Sequence, residues 1–299
     1  MLWKGLVIDM DKDLMREFAS YPSLFWKLMR AKNAICPQKL SYGEEKDQYL
    51  LHFAPWGEAK EKVIFYIHGG GWNSGNPLLF RFIGEKFAQE GYHCIMAGYR
   101  KTPRFSYPAQ IEDIRAGYEK MIRYLKRRKI PSDQIVVAGS SAGAHLGALL
   151  CYDTLMQKET GMDINALQGF AGLGGPYYFG AEHSAVLRRL MKDLFPKEEN
   201  GSEKNERMGF GKEEGEPYEK LHEGQKVPML IIHGRHDGVV SYQNAAVFYA
   251  HASSLGIPAK FYTVSDGKDS HSVYTAGCFL EERKNCETLD ALFWWIEKI

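Results

Sequence analysis

The chain has 299 residues, of which 44% are hydrophobic and 25% charged, and its formal net charge is +1. This length suits one large α/β domain, which buries enough surface to fold without a disulfide or a metal. The composition is that of an ordinary globular protein. The small net charge gives no electrostatic reason to expect nucleic acid or an anionic membrane as a partner.

The cysteines and the N-terminus limit the possibilities further. Cys36, Cys94, Cys151, Cys278 and Cys286 are an odd number and include no Cys-x-x-Cys pair. This argues against a disulfide framework and a zinc site, and we expect neither metal nor cofactor. Charged residues near the N-terminus interrupt the apolar segment that a secretory signal needs, and no run of about 20 apolar residues occurs in the sequence. The sequence therefore predicts a cytoplasmic protein without membrane insertion, and it leaves the oligomeric state open.

Helical and strand-like patterns alternate along the chain. Residues 10–33 have the apolar spacing of an amphipathic helix that is broken near Pro22. The predicted strands are residues 48–54, 63–67, 93–97, 135–138, 168–173, 229–233 and 260–264. The predicted helices are residues 79–90, 110–129, 142–156, 243–255 and a last one that carries Leu289, Leu292, Phe293 and Ile296.

Several of these strands are solid apolar runs, such as Val63-Ile-Phe-Tyr-Ile67, which are typical of strands covered on both faces. Alternating strands and helices with short connections predict a mostly parallel sheet flanked by helices. We therefore expect a single α/β domain over residues 1–299, with residues 1–45 forming an N-terminal helical cap segment.

A long insertion interrupts the alternation at residues 177–226. Loops between strands of such a sheet are usually much shorter. Residues 183–195 have a helical pattern, whereas residues 197–220 are rich in Glu and Lys and predict a solvated or mobile stretch. The insertion is placed to cover an active site as a lid; a surface excursion without a role is the alternative.

The strongest chemical signal is Gly139-Ser140-Ser141-Ala142-Gly143, between a predicted strand and a predicted helix. Glycines on both sides let the strand and the helix approach around a sharp turn that exposes the central Ser141 hydroxyl. The helix N-terminus adds positive potential at that point. Gly-x-Ser-x-Gly alone occurs often by chance, but these flanking elements favour Ser141 as a nucleophile over Ser140 or a turn without chemistry.

A second signal follows an earlier strand, at His68-Gly69-Gly70-Gly71-Trp72. A serine hydrolase must stabilise an oxyanion, and glycine-rich turns leave backbone N–H groups free to do so. We predict that the amides of Gly70, Gly71 and Ala142 form this oxyanion hole. A plain flexible loop is the alternative interpretation.

A serine nucleophile needs a base and a carboxylate that orients the base. Asp237 and His271 each follow a predicted strand, so both are expected at the same sheet edge as Ser141. Their chain order, Ser, Asp, His, is the order that α/β-hydrolases use. Asp266 and Asp269 are nearer to His271 in sequence, but we interpret them as turn residues.

The remaining histidines receive structural interpretations. His68 is expected to hold the glycine loop in shape, and His145 to pack or bond beneath the turn that carries Ser141. His233 and His236 have no ligand spacing with a third group, and they predict no metal site.

Several motifs together resemble those of a known superfamily. They are His68-Gly-Gly-Gly-Trp72, Tyr99-Arg-Lys-Thr-Pro103, Phe105-Ser-Tyr-Pro-Ala-Gln110, Asp113, Gly139-Ser-Ser-Ala-Gly-Ala-His-Leu146 and His233-Gly-Arg-His-Asp237. Over residues 48–299 the chain resembles the esterase/lipase branch of the α/β-hydrolases, which has an HGGG oxyanion motif. This branch includes hormone-sensitive-lipase-like carboxylesterases, acetyl or feruloyl esterases and kynurenine formamidases.

The resemblance implies an α/β-hydrolase fold, the catalytic set Ser141, Asp237 and His271, and the oxyanion hole described above. Hormone-sensitive-lipase-like members usually carry an acidic residue where this chain has Ser140. Relatives commonly have Asp or Asn where this chain has Gly98. These departures leave the predicted catalytic set untouched and bear on the subfamily.

The predicted function is a serine hydrolase that cleaves small carboxylic esters through an acyl-enzyme, of the carboxylesterase or acetylesterase type. The expected partner is a small ester or amide. A kynurenine-formamidase-like or other small-amide hydrolase, an exopeptidase and a non-catalytic binding protein with this fold are the alternatives. We also expect Phe18, Phe25, Trp26 and Leu28, with a helix at 187–195, to close a small pocket that favours short or flat groups.

Overall fold

A computed structural model of the protein describes residues 2–30, 35–196, 212–265 and 267–299, with the backbone alone for residues 2–11. The centre of the described structure is an eight-stranded sheet in the order β1-β2-β4-β3-β5-β6-β7-β8. The strands are β1 (Gln38–Ser41), β2 (Tyr49–Phe53), β3 (Val63–Ile67), β4 (His93–Ala97), β5 (Ile135–Ser140), β6 (Leu167–Leu173), β7 (Met229–Gly234) and β8 (Ala259–Val264). Only the pairs β1–β2 and β2–β4 are antiparallel among them, which confirms the predicted mostly parallel sheet.

Helices lie on both faces of the sheet, as predicted. They are α1 (Leu2–Arg30), α2 (Arg81–Gln89), α3 (Ala109–Arg128), α4 (Ala142–Tyr152), α5 (Thr154–Thr160), α6 (Ala185–Leu194), α7 (Tyr242–Ser254), α8 (His271–Thr275) and α9 (Glu287–Lys298). Single 3₁₀ turns occupy Pro217–Lys220, Gly277–Leu280 and Arg283–Asn285.

The solid apolar strands are explained by two cores, one on each face. On β3, Phe65 and Ile67 pack with side chains of α3, α4 and α7, whereas Ile64 and Tyr66 pack with those of α2 and α9. Because successive side chains of a strand point to opposite faces, a strand buried on both sides must be apolar at every position.

Three local elements differ from the sequence predictions. Helix α1 continues through Pro22, which is exposed, so water can bond the carbonyl that proline leaves without a helical partner. The helix predicted at 142–156 is two helices, because the Asp153 side chain accepts a 2.9 Å hydrogen bond from Met156 N–H and caps a new start. Strand β1 was not predicted, because its mostly exposed residues show no apolar pattern.

The insertion at residues 177–226 packs onto the domain through a helix, and a buried carboxylate joins its two ends. Helix α6 buries Leu187, Met191 and Leu194 against the core. At its other end Glu216 is 7% exposed and accepts a 2.6 Å hydrogen bond from Phe179 N–H. The prediction of a solvated stretch at 197–220 is therefore wrong for its last part, because this carboxylate is held by a backbone donor. Residues 197–211 lie outside the described residues.

The parallel strands share one carboxyl edge, where ligands of such sheets bind. Segments that follow β3, β5, β7 and β8 there contain the predicted glycine loop, Ser141, Asp237 and His271 respectively. The topology thus brings segments that are far apart in sequence to the same edge of the sheet.

Candidate active site

Ser141 occupies the turn between β5 and α4 with φ 52° and ψ −121°, a conformation in which a non-glycine residue is strained. Both flanking positions require glycine, because other backbone atoms lie too close to leave room for a side chain. A Cβ on Gly139 would lie 2.5 Å from the Gly143 carbonyl oxygen, and one on Gly143 would overlap the Ile67 carbonyl oxygen of β3. The tight turn therefore depends on both glycines, and it holds Ser141 at the end of the strand.

The structure brings the three predicted catalytic side chains together in one chain of hydrogen bonds. His271 Nε2 lies 2.9 Å from Ser141 Oγ, and His271 Nδ1 lies 2.7 Å from Asp237 Oδ2. Because a carboxylate can only accept, Nδ1 carries the proton and Nε2 is left to accept one from the Ser141 hydroxyl.

Asp237 is a buried carboxylate with several donors around it. Its Oδ1 accepts 2.8 Å hydrogen bonds from the N–H groups of Val239 and Val240. Its Oδ2 accepts from the Tyr274 hydroxyl as well as from His271. Burial by itself would raise the pKa of Asp237, but the charge and hydrogen bond of His271, together with the other partners, lower the pKa below its ordinary value. The carboxylate therefore stays ionised at neutral pH.

The interaction between Asp237 and His271 shifts the pKa of His271 in the opposite direction. Burial by itself would lower the pKa of the imidazole, but the Asp237 carboxylate outweighs it and raises the pKa above 6.5. A smaller contribution in the same direction comes from the charge of Glu17 on α1. A base with a pKa near the working pH is well suited to take up and return a proton.

The glycine loop lies directly against the Ser141 turn. A Cβ on Gly69 would lie 3.3 Å from Ser141 Cβ. Gly70 and Gly71 have φ values of 119° and 57°, which favour glycine. Within the described ranges, the amides of Gly70, Gly71 and Ala142 donate to no other group of the protein. These free amides, one of them at the N-terminus of α4, suit the binding of a negative oxygen.

The alternative candidates for the nucleophile and for the orienting carboxylate have other hydrogen-bond partners. Asp269 accepts hydrogen bonds from His236, at 2.7 Å from its Nδ1 and 3.2 Å from its backbone N–H, rather than from His271. The Ser140 hydroxyl is buried and donates to the Thr275 carbonyl. Asp266, the other carboxylate near His271 in sequence, lies outside the described residues.

Two buried histidines support the glycine loop. His68 Nδ1 donates to the Gly69 carbonyl at 2.6 Å, and its ring stacks on Tyr99 with centroids 4.5 Å apart. Beneath the turn, His145 Nδ1 accepts from Trp72 Nε1 at 3.3 Å, while its Nε2 donates to the Gly215 carbonyl at 2.7 Å. Burial lowers the pKa of His145 to about 4, so at neutral pH it is the neutral form that links the loop to the insertion.

Sequence reasoning did not identify two residues that contact the segments carrying Asp237 and His271. Tyr274 bonds Asp237, and Glu17 of α1 is fully buried and accepts a 3.0 Å hydrogen bond from the backbone N–H of Ser272 as well as one from its hydroxyl. One signal was available for Glu17. It lies on the same helical face as Leu14 and Leu24, so the carboxylate stands in a stripe of otherwise apolar positions.

The N-terminal aromatic residues do not have the positions we expected. The side chains of Phe18, Phe25 and Trp26 are 55%, 65% and 59% exposed, so they do not close a pocket. The opposite face of α1 contacts the protein, where a Cβ on Gly238 would lie 2.6 Å from the Asp13 backbone. The prediction was wrong because the buried face of α1 is the one that carries Glu17, and the three aromatic side chains point away from it.

Among the described residues, no helix combines the length and the apolar character needed to cross a bilayer.

The fold and the arrangement at the sheet edge define an α/β-hydrolase. Comparison with protein families agrees: residues 51–171 match BD-FAE, and residues 176–297 match the prolyl oligopeptidase family, Peptidase_S9. Solved structures agree as well. Esterase B from Lactobacillus rhamnosis superposes with a TM-score of 0.74 at 18% identity, covering 97% of this chain and 96% of that chain. Thermogutta terrifontis esterase 2 phosphonylated by sarin superposes with a TM-score of 0.70 at 19% identity, covering 89% of this chain and 96% of that chain.

Relatives found by sequence are consistent with these structures. The probable carboxylic ester hydrolase LipM of Mycobacterium tuberculosis is 25% identical over 62% of this chain and 43% of its own length. The esterase LipQ of the same organism is 23% identical over 76% of this chain and 53% of its own length. The chain thus spans about half the length of these relatives. It has the α/β-hydrolase fold, and it is similar in sequence to proteins named as esterases.

Proposed function

We propose that the chain is a serine hydrolase that cleaves small carboxylic esters through an acyl-enzyme. Ser141 is the nucleophile, His271 the general base and Asp237 the carboxylate that orients the base. The observation that carries this proposal is the hydrogen-bond chain in which His271 lies 2.9 Å from Ser141 Oγ and 2.7 Å from Asp237 Oδ2. The esterase names of the relatives support the same reaction.

In the first half of the reaction, His271 Nε2 takes the proton of the Ser141 hydroxyl while Oγ attacks the ester carbonyl. The carbonyl oxygen becomes an oxyanion, for which the amides of Gly70, Gly71 and Ala142 are the proposed donors. The protonated His271 is stabilised by Asp237. It then gives its proton to the leaving alcohol as the tetrahedral intermediate collapses to the acyl-enzyme.

In the second half, water takes the place of the alcohol. His271 removes a proton from the water, which attacks the acyl carbonyl, and the same donors hold the second oxyanion. Collapse releases the carboxylic acid and returns the proton to Ser141 Oγ. Over the cycle one ester and one water are consumed, one alcohol and one carboxylic acid are released, and Ser141 and His271 return to their starting protonation states.

We propose that α1 and the insertion form a cap over this site. The backbone of α1 packs on Gly238, next to Asp237, and Glu17 binds the residue after His271. From the insertion, Leu190 of α6 packs on the glycine loop, since a Cβ on Gly71 would lie 2.7 Å from Leu190 Cδ1. Apolar side chains so near the proposed oxyanion donors favour small acyl groups.

The names of similar proteins also support a substrate with a small acyl group. An acetyl-hydrolase of Streptomyces hygroscopicus is 31% identical over 28% of this chain. Thermogutta terrifontis esterase 2 has been solved with propionate bound and with butyrate bound.

Short acyl esters are therefore expected to be the best substrates. Each methylene that fits the pocket gains about 0.8 kcal/mol, so kcat/KM should rise with acyl length only until the pocket is full. With the p-nitrophenyl esters of acetate, butyrate, octanoate and palmitate, we expect the maximum at acetate or butyrate. Palmitate should be at least about tenfold poorer. A profile that still climbs at palmitate would mean a long open channel. Absence of hydrolysis of every ester would overturn the proposed function itself.

Amide hydrolysis is the second candidate, and two observations favour it. Residues 176–297 match the prolyl oligopeptidase family, and an arylacetamide deacetylase of Bos taurus is 27% identical over 44% of this chain. Pairs of acetyl esters and acetyl anilides, together with N-formyl-kynurenine and an aminoacyl anilide, would separate the activities. Higher kcat/KM on an amide than on its matched ester would replace the ester assignment.

The pH profile tests the electrostatic environment of His271. The base must be neutral to accept the Ser141 proton, and its raised pKa predicts that kcat/KM falls as pH decreases through a midpoint above 6.5. The charged or titratable groups acting on it are Asp237, Glu17 and His233. In Glu17→Gln the amide oxygen can still accept from Ser272 while the charge is lost. The acid limb should therefore move to lower pH, with kcat at high pH within about threefold of wild type.

Glu17→Ala is the companion variant, because it removes the hydrogen bonds as well as the charge. It should lower kcat at every pH, whereas Glu17→Gln should mainly shift the midpoint. Identical acid limbs in wild type and Glu17→Gln would show that the charge of Glu17 does not reach His271.

A further inference from the structure

Tyr274 is a buried tyrosine whose hydroxyl donates to the carboxylate of the proposed catalytic set. The hydroxyl bonds Asp237 Oδ2, the same oxygen that lies 2.7 Å from His271 Nδ1. Tyr274 is 1% exposed, and the carboxylate occupies its one proton. Any effect of this side chain on the reaction must therefore pass through Asp237.

The position of Tyr274 on α8 explains why two donors meet at one carboxylate oxygen. His271 is the first residue of this helix, and Tyr274 lies three residues later. Side chains three residues apart are neighbours on the same face of a helix. The two rings meet edge to face, with centroids 6.2 Å apart. A single turn of helix thus presents both donors to Asp237.

Two glycines at the ends of neighbouring strands leave room for the phenol. A Cβ on Gly174, the residue after β6, would lie 2.6 Å from the hydroxyl oxygen of Tyr274. A Cβ on Gly234, the last residue of β7, would lie 2.8 Å from its ring atom Cε1. The ring of His233 lies on another side, with centroids 5.9 Å apart. These neighbours confine the phenol and keep its hydroxyl on the carboxylate.

The phenol is a donor at every pH at which the enzyme is expected to work. Burial, together with the negative charge of Asp237, raises the pKa of Tyr274 well above that of an ordinary tyrosine. His233 cannot replace it as a donor. Its Nε2 lies 3.6 Å from Asp237 Oδ2 and donates instead to the Val240 carbonyl, at 2.9 Å.

A second donor on Oδ2 changes how the carboxylate acts on His271. A hydrogen bond to an ionised oxygen stabilises its negative charge, which weakens the attraction of that oxygen for another proton. Without the phenol, Asp237 would hold the Nδ1 proton more strongly and favour the protonated imidazole. The same bond also fixes the direction of Oδ2, and through Nδ1 it fixes the ring that points Nε2 at Ser141.

We propose that Tyr274 is a positioning residue, whose hydroxyl holds Asp237 Oδ2 against His271 and limits the basicity of the carboxylate. The proposal rests on the proposed roles of Asp237 and His271. It gives Tyr274 the opposite effect to Glu17, whose charge raises the pKa of His271. The titratable groups whose charges act on the Asp237–His271 pair are Glu17 and Tyr21 of α1, His233 of β7 and Tyr274 itself.

Tyr274→Phe removes the hydroxyl and keeps the ring. The acid limb of kcat/KM should move to higher pH by about 0.5 unit, because the carboxylate then stabilises protonated His271 more strongly. This direction is opposite to that expected for Glu17→Gln. At a pH above both midpoints, kcat should fall by about three- to tenfold, because the imidazole is less firmly oriented. KM should stay within about twofold of wild type, since Tyr274 acts through Asp237 and not on the substrate.

Tyr152→Phe is the matched control. Tyr152 is also fully buried, and its hydroxyl donates to the Val227 carbonyl at 3.0 Å, in the core on the other face of the sheet. Both variants lose one buried hydrogen bond, so their thermal stabilities should fall by similar amounts. The control should keep the wild-type pH midpoint and a kcat within about twofold of wild type.

Titration of the His271 ring by NMR tests the same interaction without a substrate, with its signals assigned by their loss in His271→Gln. Its pKa should be higher in Tyr274→Phe than in wild type and unchanged in Tyr152→Phe. A protein that hydrolyses no ester would overturn the proposed function, but the NMR titration would still measure the effect of Tyr274. If Tyr274→Phe loses stability while its His271 midpoint stays at the wild-type value or moves lower, Tyr274 has only a structural role and the proposal is overturned.

Discussion

Replacing Ser141 with alanine is expected to lower kcat for ester hydrolysis by about 10⁴- to 10⁶-fold, as loss of the nucleophile does in other serine hydrolases. The alanine has no oxygen to attack the carbonyl, and the remaining rate comes from the oxyanion donors and substrate binding alone. KM should change little, because Oγ contributes mainly after binding. Initial rates with p-nitrophenyl acetate, corrected for the uncatalysed reaction, measure the effect.

Ser140→Ala is the matched control. Its hydroxyl is one residue away, but it is buried and bonded to the Thr275 carbonyl and to Tyr66, so its loss should cost less than about tenfold in kcat. A fluorophosphonate probe should label wild type and Ser140→Ala at Ser141 and leave Ser141→Ala unlabelled. An adduct on any other residue would show that Ser141 is not the nucleophile.

Asp237→Asn is expected to leave the fold intact and to lower kcat by about 10⁴-fold. The carboxylate accepts the proton on His271 Nδ1, which keeps Nε2 free for Ser141. An asparagine side chain can instead present its N–H₂ group to His271 and favour the opposite tautomer, in which Nε2 carries the proton and cannot act as base. The measurement is kcat at a pH well above the midpoint of the wild-type profile, with circular dichroism to check folding.

Asp269→Asn provides the control for this prediction. That carboxylate is buried to a similar degree, 4% exposed against 7% for Asp237, but its partner is His236. The expected loss in kcat is less than about tenfold. If Asp269→Asn were the more damaging of the two, the orienting carboxylate would have been assigned to the wrong residue.

Much of the fold could be predicted from the sequence because its signals are local. Strands buried on both faces must be apolar throughout, and β3 and β4 begin and end where their apolar runs do. The turn at Ser141 is recognisable for a similar reason, since the two glycines are required by backbone contacts at that turn. Chain order then predicts that the segments after β5, β7 and β8 meet at one edge.

Other features depend on contacts between distant segments. No local pattern identifies Ser272, 255 residues further along the chain, as the partner of Glu17. Phe18 and Phe25 are exposed on the same helix, so the expected aromatic pocket is absent at these residues.

The sequence by itself therefore determined the class of fold, the parallel sheet and the segments that reach its carboxyl edge, because burial and backbone geometry act within a few residues. Only the tertiary structure decided which carboxylate His271 faces, which amides remain free beside Ser141 and how α1 lies on the catalytic segments. Those outcomes depend on the relative positions of side chains from separate elements, to within the few tenths of an ångström that a hydrogen bond allows.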